Sequence, residues 1–192
     1  MLKKRLAAAR RGADLLERKQ QILLVELATL RDVHERTAKE WARAAQNASA
    51  WLARATELDG PLAVTQAASA EFAKVIVQIA QVAGVDYPNS CVCTVPGARP
   101  LGGTAALAYA AAAHRTALEA AADYAAVDRA VLAVSAELAK TRTFRRAIED
   151  RWVPRLEQEM ARLLLELDEA EREENLRLRW AASRRSARRP GL

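Results

Sequence analysis

The side chains best suited to chemistry in this sequence are two cysteines and two histidines. Cys91 and Cys93 are two residues apart and would face the same way on a strand. A structural zinc site needs about four ligands, and His34 and His114 have no ligand spacing to the cysteines. We therefore predict ordinary thiols packed under or beside a strand pair, and neither a metal nor another cofactor.

The other candidate reactive groups favour structural roles. Gly102-Gly103-Thr104 could open a helix and bind an anion, but it lacks the lysine and remaining glycines of a phosphate-binding loop. An acidic run interleaved with Arg and Leu at helical spacing indicates a solvated helix face; it comprises Glu157, Glu159, Glu166, Asp168, Glu169, Glu171, Glu173 and Glu174. Because no Ser/His/Asp set or paired-carboxylate arrangement is evident, we predict that the protein is not an enzyme.

The composition indicates long helices. Apolar residues make up 51% of the chain and aromatic residues only 5%, so Ala and Leu supply most of the apolar surface. No apolar run approaches the roughly 18–20 residues of a membrane span, and Arg10, Arg11 and Asp14 interrupt any signal-like start. We expect a cytoplasmic protein without direct membrane insertion, and its net charge of +6 favours an acidic partner.

The first flank carries two heptad series that fall on one side of a helix. One series is Leu2, Ala9, Leu16, Leu23, Leu30, Thr37, Ala44, Trp51 and Leu58; the other is Leu6, Ala13, Gln20, Leu27, His34, Trp41, Ala48, Ala55 and Leu62. This pattern predicts a coiled-coil helix over about residues 3–66, with His34 as a polar, register-setting residue on the apolar seam.

The second flank predicts another helix over about residues 104–182, followed by a basic tail over 183–192. Thr104 is a plausible N-cap. The apolar seam shifts through Phe144, Ile148 and Trp152, which resembles a coiled-coil stutter. Pro154 should then kink the helix, because proline removes a backbone donor and crowds the carbonyl four residues back.

Between the flanks, residues of about 72–103 predict a β-hairpin and a loop. Val75–Val82 is β-branched and partly alternating, and Cys91–Val95 is a second short strand candidate. Gly84 and Pro88-Asn89 supply turn chemistry. The predicted fold is mainly α: a long antiparallel two-helix coiled-coil hairpin with a short β-hairpin in its central connection. We interpret residues 1–192 as a single elongated domain, with the β-hairpin at its far end.

Basic side chains concentrate at both ends of the chain. They include Lys3, Lys4, Arg5, Arg10, Arg11, Arg177, Arg179, Arg184 and Arg185. A helical hairpin would bring the two ends together into one basic tip. Such a tip fits a nucleic-acid footprint or a protein socket, and the charge alone leaves both open.

Several motifs resemble the D subunit of the V/A-type ATP synthases. Leu6 to Leu23, with Arg11-Gly12 inside it, looks like that family's opening helix, and Val82–Pro88 resembles its Gly-Val-x-x-Pro turn. Three further segments are similar to the family. The family's Arg-rich stretch corresponds to Thr141–Glu149, and its Ile-Pro-Arg-Leu-Glu segment corresponds to Val153–Glu157. Its Leu-Asp-Glu-x-Glu-Arg-Glu-Glu segment corresponds to Leu167–Arg179. The sequence departs from the family at Arg146, where an Asn is expected, and at Val153, where an Ile is expected.

The resemblance implies the central rotor shaft of a proton- or sodium-translocating complex, peripheral to the membrane and without an active site. Its termini would enter the hexamer of A and B subunits, its middle would bind the F subunit, and its far end would dock on the C subunit at the membrane ring. No nucleic acid would be a partner. The basic side chains of the two ends would face the hexamer. A bend of the shaft would be shaped by Phe144, Ile148, Trp152 and Pro154. The surface facing the F or C subunit would comprise Val77, Ile79, Val82, Val85 and Tyr87.

Two alternatives compete with this interpretation. A non-rotary helical-hairpin adaptor or scaffold could use the basic tip to bind nucleic acid or an anionic membrane. A gamma-type shaft of the F-type synthase fits less well, because that family inserts a sizeable domain between its helices and the break here leaves little room for one. The coupling ion and the direction of the reaction stay open.

Overall fold

The computed structural model describes residues 1–67, 71–96 and 103–187, of which 185–187 are described in backbone only. The elements in chain order are α1 (Leu2–Ala67), β1 (Lys74–Val82), β2 (Val85–Thr94), α2 (Ala105–Ala147), a π-helical turn (Ile148–Trp152) and α3 (Val153–Ala187). The predicted mainly α fold, with a β-hairpin between long antiparallel helices, is confirmed. Helix α3 runs on to Ala187, so the first residues of the predicted tail are helical, and 188–192 lie outside the described residues.

Contacts divide the chain into two compact units. The first unit combines Met1–Arg18 with Arg142–Leu192, and the second unit is Lys19–Thr141. Helix α1 contributes to both units. The interpretation of residues 1–192 as a single domain stays a prediction.

In the second unit, α1 packs antiparallel to α2. Contacts between the helices pair rising α1 numbers with falling α2 numbers: Lys19 with Glu137, His34 with Asp128, Trp41 with Tyr124 and Trp51 with Tyr109. His34 Nε2 lies 3.2 Å from Asp128 Oδ1, so this polar seam residue does find a partner on the facing helix. The hydroxyl of Thr37, a buried polar residue on the seam, donates to the Val33 carbonyl one turn back and is thereby satisfied.

Two apolar clusters hold the second unit together. The larger one consists of Leu23, Leu27, Leu30, Tyr87, Ala130, Val134 and Leu138, and the smaller one of Ala55, Ala106, Leu107 and Ala110. Full burial of a Leu side chain contributes about 1.5–3 kcal/mol, so the leucines supply most of the stabilisation. The alanines let the two backbones approach where the heptad positions are small.

The end of α1 and the start of α2 are joined by one carboxylate. Asp59 Oδ1 accepts a hydrogen bond from the Thr104 amide at 2.9 Å, and Asp59 Oδ2 accepts one from the Thr104 hydroxyl at 2.5 Å. Thr104 directly precedes α2, as the sequence predicts for a capping residue, while Gly102 lies outside the described residues. One residue beyond Asp59, Gly60 has φ 81° and breaks the regular helix, and Pro61 begins its last segment.

The β-hairpin closes through a two-residue turn at Ala83-Gly84. Both residues have positive φ, 49° and 79°, and Val82 pairs with Val85 across the turn. Positive φ at both central positions is the geometry that matches the twist of antiparallel strands. The predicted turn at Pro88-Asn89 is therefore wrong: β2 begins before it, at Val85.

Pro88 instead lies beside a β-bulge. Ile79 pairs with Pro88 whereas Gln78 pairs with Ser90, so Asn89 is the extra residue on β2. A bulge tolerates proline because the ladder is interrupted there.

In the first unit, the start of α1 packs against the start of α3. Leu6 and Ala13 of α1 and Leu156 of α3 are buried. Arg10 forms an ion pair with Glu157 at 2.6 Å, which fixes the facing register of the two helices. Arg145 lies between Glu17 and Glu149 and contributes a further link.

Candidate functional site

A π-helical turn at Ile148–Trp152 joins α2 to α3. The Val153 amide donates to the Ile148 carbonyl five residues back, and Pro154 follows with no amide hydrogen to give. A π-turn accommodates one extra residue, so Ile148 and Leu156 share one face although they are eight residues apart. This π-turn falls within the stretch where the sequence predicts a seam shift, marked by Phe144, Ile148, Trp152 and Pro154; that these residues shape a bend stays a prediction.

The turn leaves the Trp152 indole 60% exposed, beside two hollows in the first unit. One hollow, of about 440 Å³, is lined by Arg5, Ala8 and Ala9 of α1 together with Ile148, Trp152 and Leu156. The other, of about 450 Å³, is lined by Arg5, Arg151, Trp152, Arg155, Leu156 and Glu159. The small side chains of Ala8 and Ala9 leave the room that Trp152 borders. Phe144, the first residue of the predicted bend, is also exposed.

The two basic segments belong to the first unit but do not lie side by side. Arg5 borders the same hollow as Glu159, whereas Arg177 lies 18 residues further along α3, which is about 27 Å at the helical rise. The expectation of one joined basic tip is therefore wrong, because α1 begins beside the first turns of α3. The described basic side chains of both segments are exposed, namely Lys3, Lys4, Arg5, Arg10, Arg11, Arg177, Arg179 and Arg184; that of Arg185 lies outside the described residues.

Beyond Met160, α3 has no cover from the rest of the described chain. Every side chain from Ala161 to Arg184 is exposed. The exposed set includes large apolar residues, namely Leu163, Leu164, Leu165, Leu167, Leu176, Leu178 and Trp180. Arg177 pairs with Glu173 at 3.3 Å, and Arg162 pairs with Glu166 in the same i, i+4 way.

The β-hairpin is anchored at its turn, against the larger cluster of the second unit. Tyr87 is buried, and its hydroxyl donates to Glu26 Oε1 at 2.7 Å. Burial raises the pKa of Tyr87 to about 12, helped by the hydrogen bond to the Glu26 carboxylate. Val82 and Val85 pack on the same cluster. The hairpin turn thus lies against Leu23–Leu30, well away from the Asp59–Thr104 end where the sequence led us to place it.

The exposed part of the β-hairpin lies further from its turn. Val77 and Ile79 are exposed, as are Val75, Ile76 and Val92. Of the five hairpin residues expected to face a partner, only Val77 and Ile79 therefore present their side chains outward, whereas Tyr87, Val82 and Val85 pack inward. Their role in binding a partner stays a prediction.

The Cys91 thiol has surroundings that keep it protonated. Cys91 Sγ donates to Asp123 Oδ1 of α2 at 3.3 Å. Burial raises the pKa of Cys91 to about 11, with further contributions from the Asp123 carboxylate and from Cys93. A thiol with so high a pKa is a poor nucleophile at neutral pH, so Cys91 serves to fasten β2 to α2.

Comparison with known proteins identifies this arrangement. A family model described as the D subunit of ATP synthase matches residues 1–183. The chain belongs to the ATP synthase D-subunit family. The comparison with curated proteins gives no match. The D subunit is a stalk component of the V/A-type ATP synthase, so the resemblance in the sequence motifs is confirmed, and the chain is a component of such a complex.

Within the described part of this D subunit, no helix is long and apolar enough to cross a membrane. Among the same residues, no group of three or more His, Cys, Asp and Glu side chains could hold a metal ion. The exposed features of the described chain are the uncovered part of α3, the π-turn with its hollows, and the outer β-hairpin.

Sequence reasoning missed two features of the structure. The hollows beside Trp152 depend on which residues of α1 face the π-turn, and the only signal was a pair of alanines at positions 8 and 9. The Asp59–Thr104 link joins residues 45 positions apart, and only the expectation of a cap at Thr104 pointed to it.

Proposed function

We propose that this D subunit is the central rotor shaft of its complex. It transmits torque between ATP catalysis in the hexamer of A and B subunits and ion transport by the membrane ring, and it has no catalytic role of its own. The observation that carries the proposal is the uncovered part of α3. A helix that exposes so many large apolar side chains needs a protein cover, and a socket in the hexamer would supply it.

The packing of the two units supports a role in transmitting force. Leucines and alanines lock α1 against α2 in the second unit, and ion pairs such as Arg10–Glu157 fix α1 against α3 in the first. Packed helices resist twisting far better than a flexible linker. The π-turn supports the eccentricity that a cam needs, since such turns are a recognised cause of helix kinks.

Other contacts of the shaft follow from its exposed surfaces. The exposed Val77 and Ile79 support docking of the hairpin on the F or C subunit. The exposed arginines of α3 support an acidic lining in the hexamer. Rotation would then couple the catalytic sites to the ring, because each orientation of the shaft makes different contacts with the three catalytic sites.

A matched pair of double variants tests the shaft proposal. Leu176→Asn with Leu178→Asn changes two exposed leucines of α3, and Leu58→Asn with Leu62→Asn changes two similarly exposed leucines of α1. We expect the α3 variant to bind the hexamer of A and B subunits at least about tenfold more weakly, because each buried leucine contributes about 1.5–3 kcal/mol. We expect the α1 variant to bind the hexamer as the unmodified protein does.

The same variants are measured for ion pumping per ATP hydrolysed in the reconstituted complex. Loss of coupling with the α3 variant supports the shaft role, and unchanged hexamer binding and coupling would contradict it. The adaptor alternative predicts something else: salt-sensitive binding of the isolated chain to DNA or anionic vesicles, without affinity for A or B subunits.

A further inference from the structure

The Trp152 indole is a large apolar surface at the π-turn of the first unit. It is 60% exposed, although tryptophan is among the residues that contribute most when covered. Trp152 is the last residue of the π-turn, and its side chain borders both hollows. Such turns are rare and occur frequently at functional sites.

The floor of the first hollow is apolar. Ala8 and Ala9 of α1 face Ile148, Trp152 and Leu156, and about 440 Å³ of space remains between them. That volume accommodates one or two apolar side chains from outside. Among the described residues that line this hollow, only Arg5 carries a full charge.

The second hollow carries a positive rim. Arg5, Arg151 and Arg155 border it, together with the single carboxylate of Glu159. Arg155 contacts Glu159 at 3.2 Å in an exposed pair, and neither Arg5 nor Arg151 has an ion-pair partner among the described residues. Guanidinium groups bind carboxylates with two parallel hydrogen bonds, so the rim is suited to an acidic ligand.

The two hollows share Arg5, Trp152 and Leu156, so one ligand can reach both. Its apolar part would rest on Trp152 and the alanines while a carboxylate meets the rim. A nucleic acid fits less well, because the apolar floor of the first hollow offers its phosphates no partner besides Arg5 among the described residues. A protein segment that carries an apolar side chain next to acidic residues satisfies both hollows.

We propose that the two hollows beside Trp152 form a docking socket for an acidic segment of another component of the ATP synthase, with an apolar side chain seated on the indole. If the chain is the rotor shaft, as proposed above, this segment belongs to a subunit that does not rotate with the shaft; that assignment rests on the proposed function. The socket itself rests only on the geometry and charge of the first unit.

The first experiment tests the socket in the full-length chain. The four tryptophans are labelled with 5-fluorotryptophan, and the protein is titrated with the blocked peptide Glu-Leu-Leu-Glu-Asp. We expect the fluorine resonance of Trp152 to move saturably while those of Trp41, Trp51 and Trp180 stay in place. A peptide with Gln and Asn in place of the acids, a short oligothymidylate and phosphatidylglycerol vesicles are titrated in parallel.

Paired variants identify the groups responsible. Arg151→Gln with Arg155→Gln should weaken peptide binding at least about tenfold, because two charge-assisted contacts are lost. Arg162→Gln is the control, since Arg162 also forms an exposed i, i+4 pair on α3, and binding should be unchanged. Trp152→Ala should abolish binding, whereas Trp180→Ala, on an exposed residue of the same type, should not.

Several outcomes would overturn the socket. They are an unmoved Trp152 resonance, equal binding of the uncharged peptide, or stronger binding of the oligonucleotide or vesicles than of the acidic peptide.

The second experiment identifies the partner in the assembled complex. A Glu159→benzoylphenylalanine variant, which places the cross-linker on the rim of the second hollow and keeps Trp152, is irradiated, and the cross-linked peptides are sequenced. A cross-link to an apolar residue flanked by Asp or Glu in another component of the complex supports the proposal, and a cross-link only to non-acidic segments overturns it. If the chain fails to join the complex while the peptide still binds, the shaft function fails and the socket stands.

Discussion

The hydroxyl of Tyr87 donates a hydrogen bond to Glu26 Oε1 across 2.7 Å, and this bond joins the turn of the β-hairpin to α1. The ring of Tyr87 is only 6% exposed and completes the apolar cluster built by α1 and α2. One side chain therefore closes the cluster and fastens the hairpin. Because the phenol is buried next to a carboxylate, its ionisation is costly, which is why the pKa of Tyr87 rises to about 12.

Stability should therefore depend on alkaline pH through Tyr87. Its pKa is higher in the folded chain than its ordinary value of 10.0, so the folded state holds this proton more tightly. The contribution is fully present below about pH 10 and is lost as the pH rises through about 12, by up to about 3 kcal/mol. Tyr87→Phe should lower the free energy of unfolding by about 1 kcal/mol near pH 8, and this deficit should shrink above pH 10.

Urea unfolding of both proteins between about pH 8 and pH 11 measures that difference. Tyr109→Phe is the control, because Tyr109 is an exposed tyrosine of the same unit. A deficit for Tyr87→Phe that stays constant across this range would show that ionisation of Tyr87 does not contribute.

Truncation of Leu23 tests whether the larger cluster supports the second unit. Leu23 is 0% exposed, so Leu23→Ala removes contacts on every side and leaves a cavity. We expect a loss of about 2–5 kcal/mol in the free energy of unfolding, measured by chemical denaturation. The matched control is Leu15→Ala, at a leucine of the same helix that is 64% exposed, which should change stability by less than about 0.5 kcal/mol. Equal effects of the two substitutions would contradict this account of the core.

Most of the fold could be predicted because it depends on local repeats. The heptads from Leu2 to Leu62 predicted the long helix α1, and Leu23, Leu27 and Leu30 are buried as the seam requires. Val75–Val82 was recognisable as a strand from its branched residues. Gly84 was also predicted to supply turn chemistry and lies in the hairpin turn, whereas Ala83 gives no sign in the sequence that it adopts positive φ, and Pro88-Asn89 carries a strong but unused turn signal.

The features that position the contact surfaces depend on distant residues. Pro154 and the seam shift indicated an interruption of the helix, but hydrogen bonding from Val153 to Ile148 has no signature in composition. The offset between the basic segments followed from which α3 residues meet α1, as in the Arg10–Glu157 pair. Charge runs alone say nothing about such a register.

Two glycine substitutions should change stability in opposite directions. Gly12 lies inside α1 with open space around it, so Gly12→Ala should raise the free energy of unfolding by about 0.5–1 kcal/mol by restricting the unfolded chain. Gly84 has φ +79° in the hairpin turn, where a Cβ atom costs about 1–2 kcal/mol. Thermal unfolding of the two variants checks this, and a stabilised Gly84→Ala protein would contradict the turn geometry.

The half-buried ion pair between Lys19 and Glu137 should make the second unit sensitive to acid. Lys19 Nζ lies 2.7 Å from Glu137 Oε1, and its hydrogen bond lowers the pKa of Glu137, with a smaller contribution from the charge of Lys140. Because the folded-state pKa is below the unfolded value of 4.5, the stabilisation is present above that pH and is lost as the pH falls through the folded pKa. Lys19→Met keeps much of the apolar stem and removes the charge, so it should lower the free energy of unfolding by about 0.5–1 kcal/mol near pH 7 and progressively less in acid.

Lys39→Met is the matched control, because Lys39 pairs with Glu35 in an exposed i, i+4 contact on the same helix, and it should destabilise the protein less. Denaturation of the three proteins at pH 7 and below pH 4 measures the differences, and a deficit for Lys19→Met that does not shrink in acid would rule out the ion pair as its source.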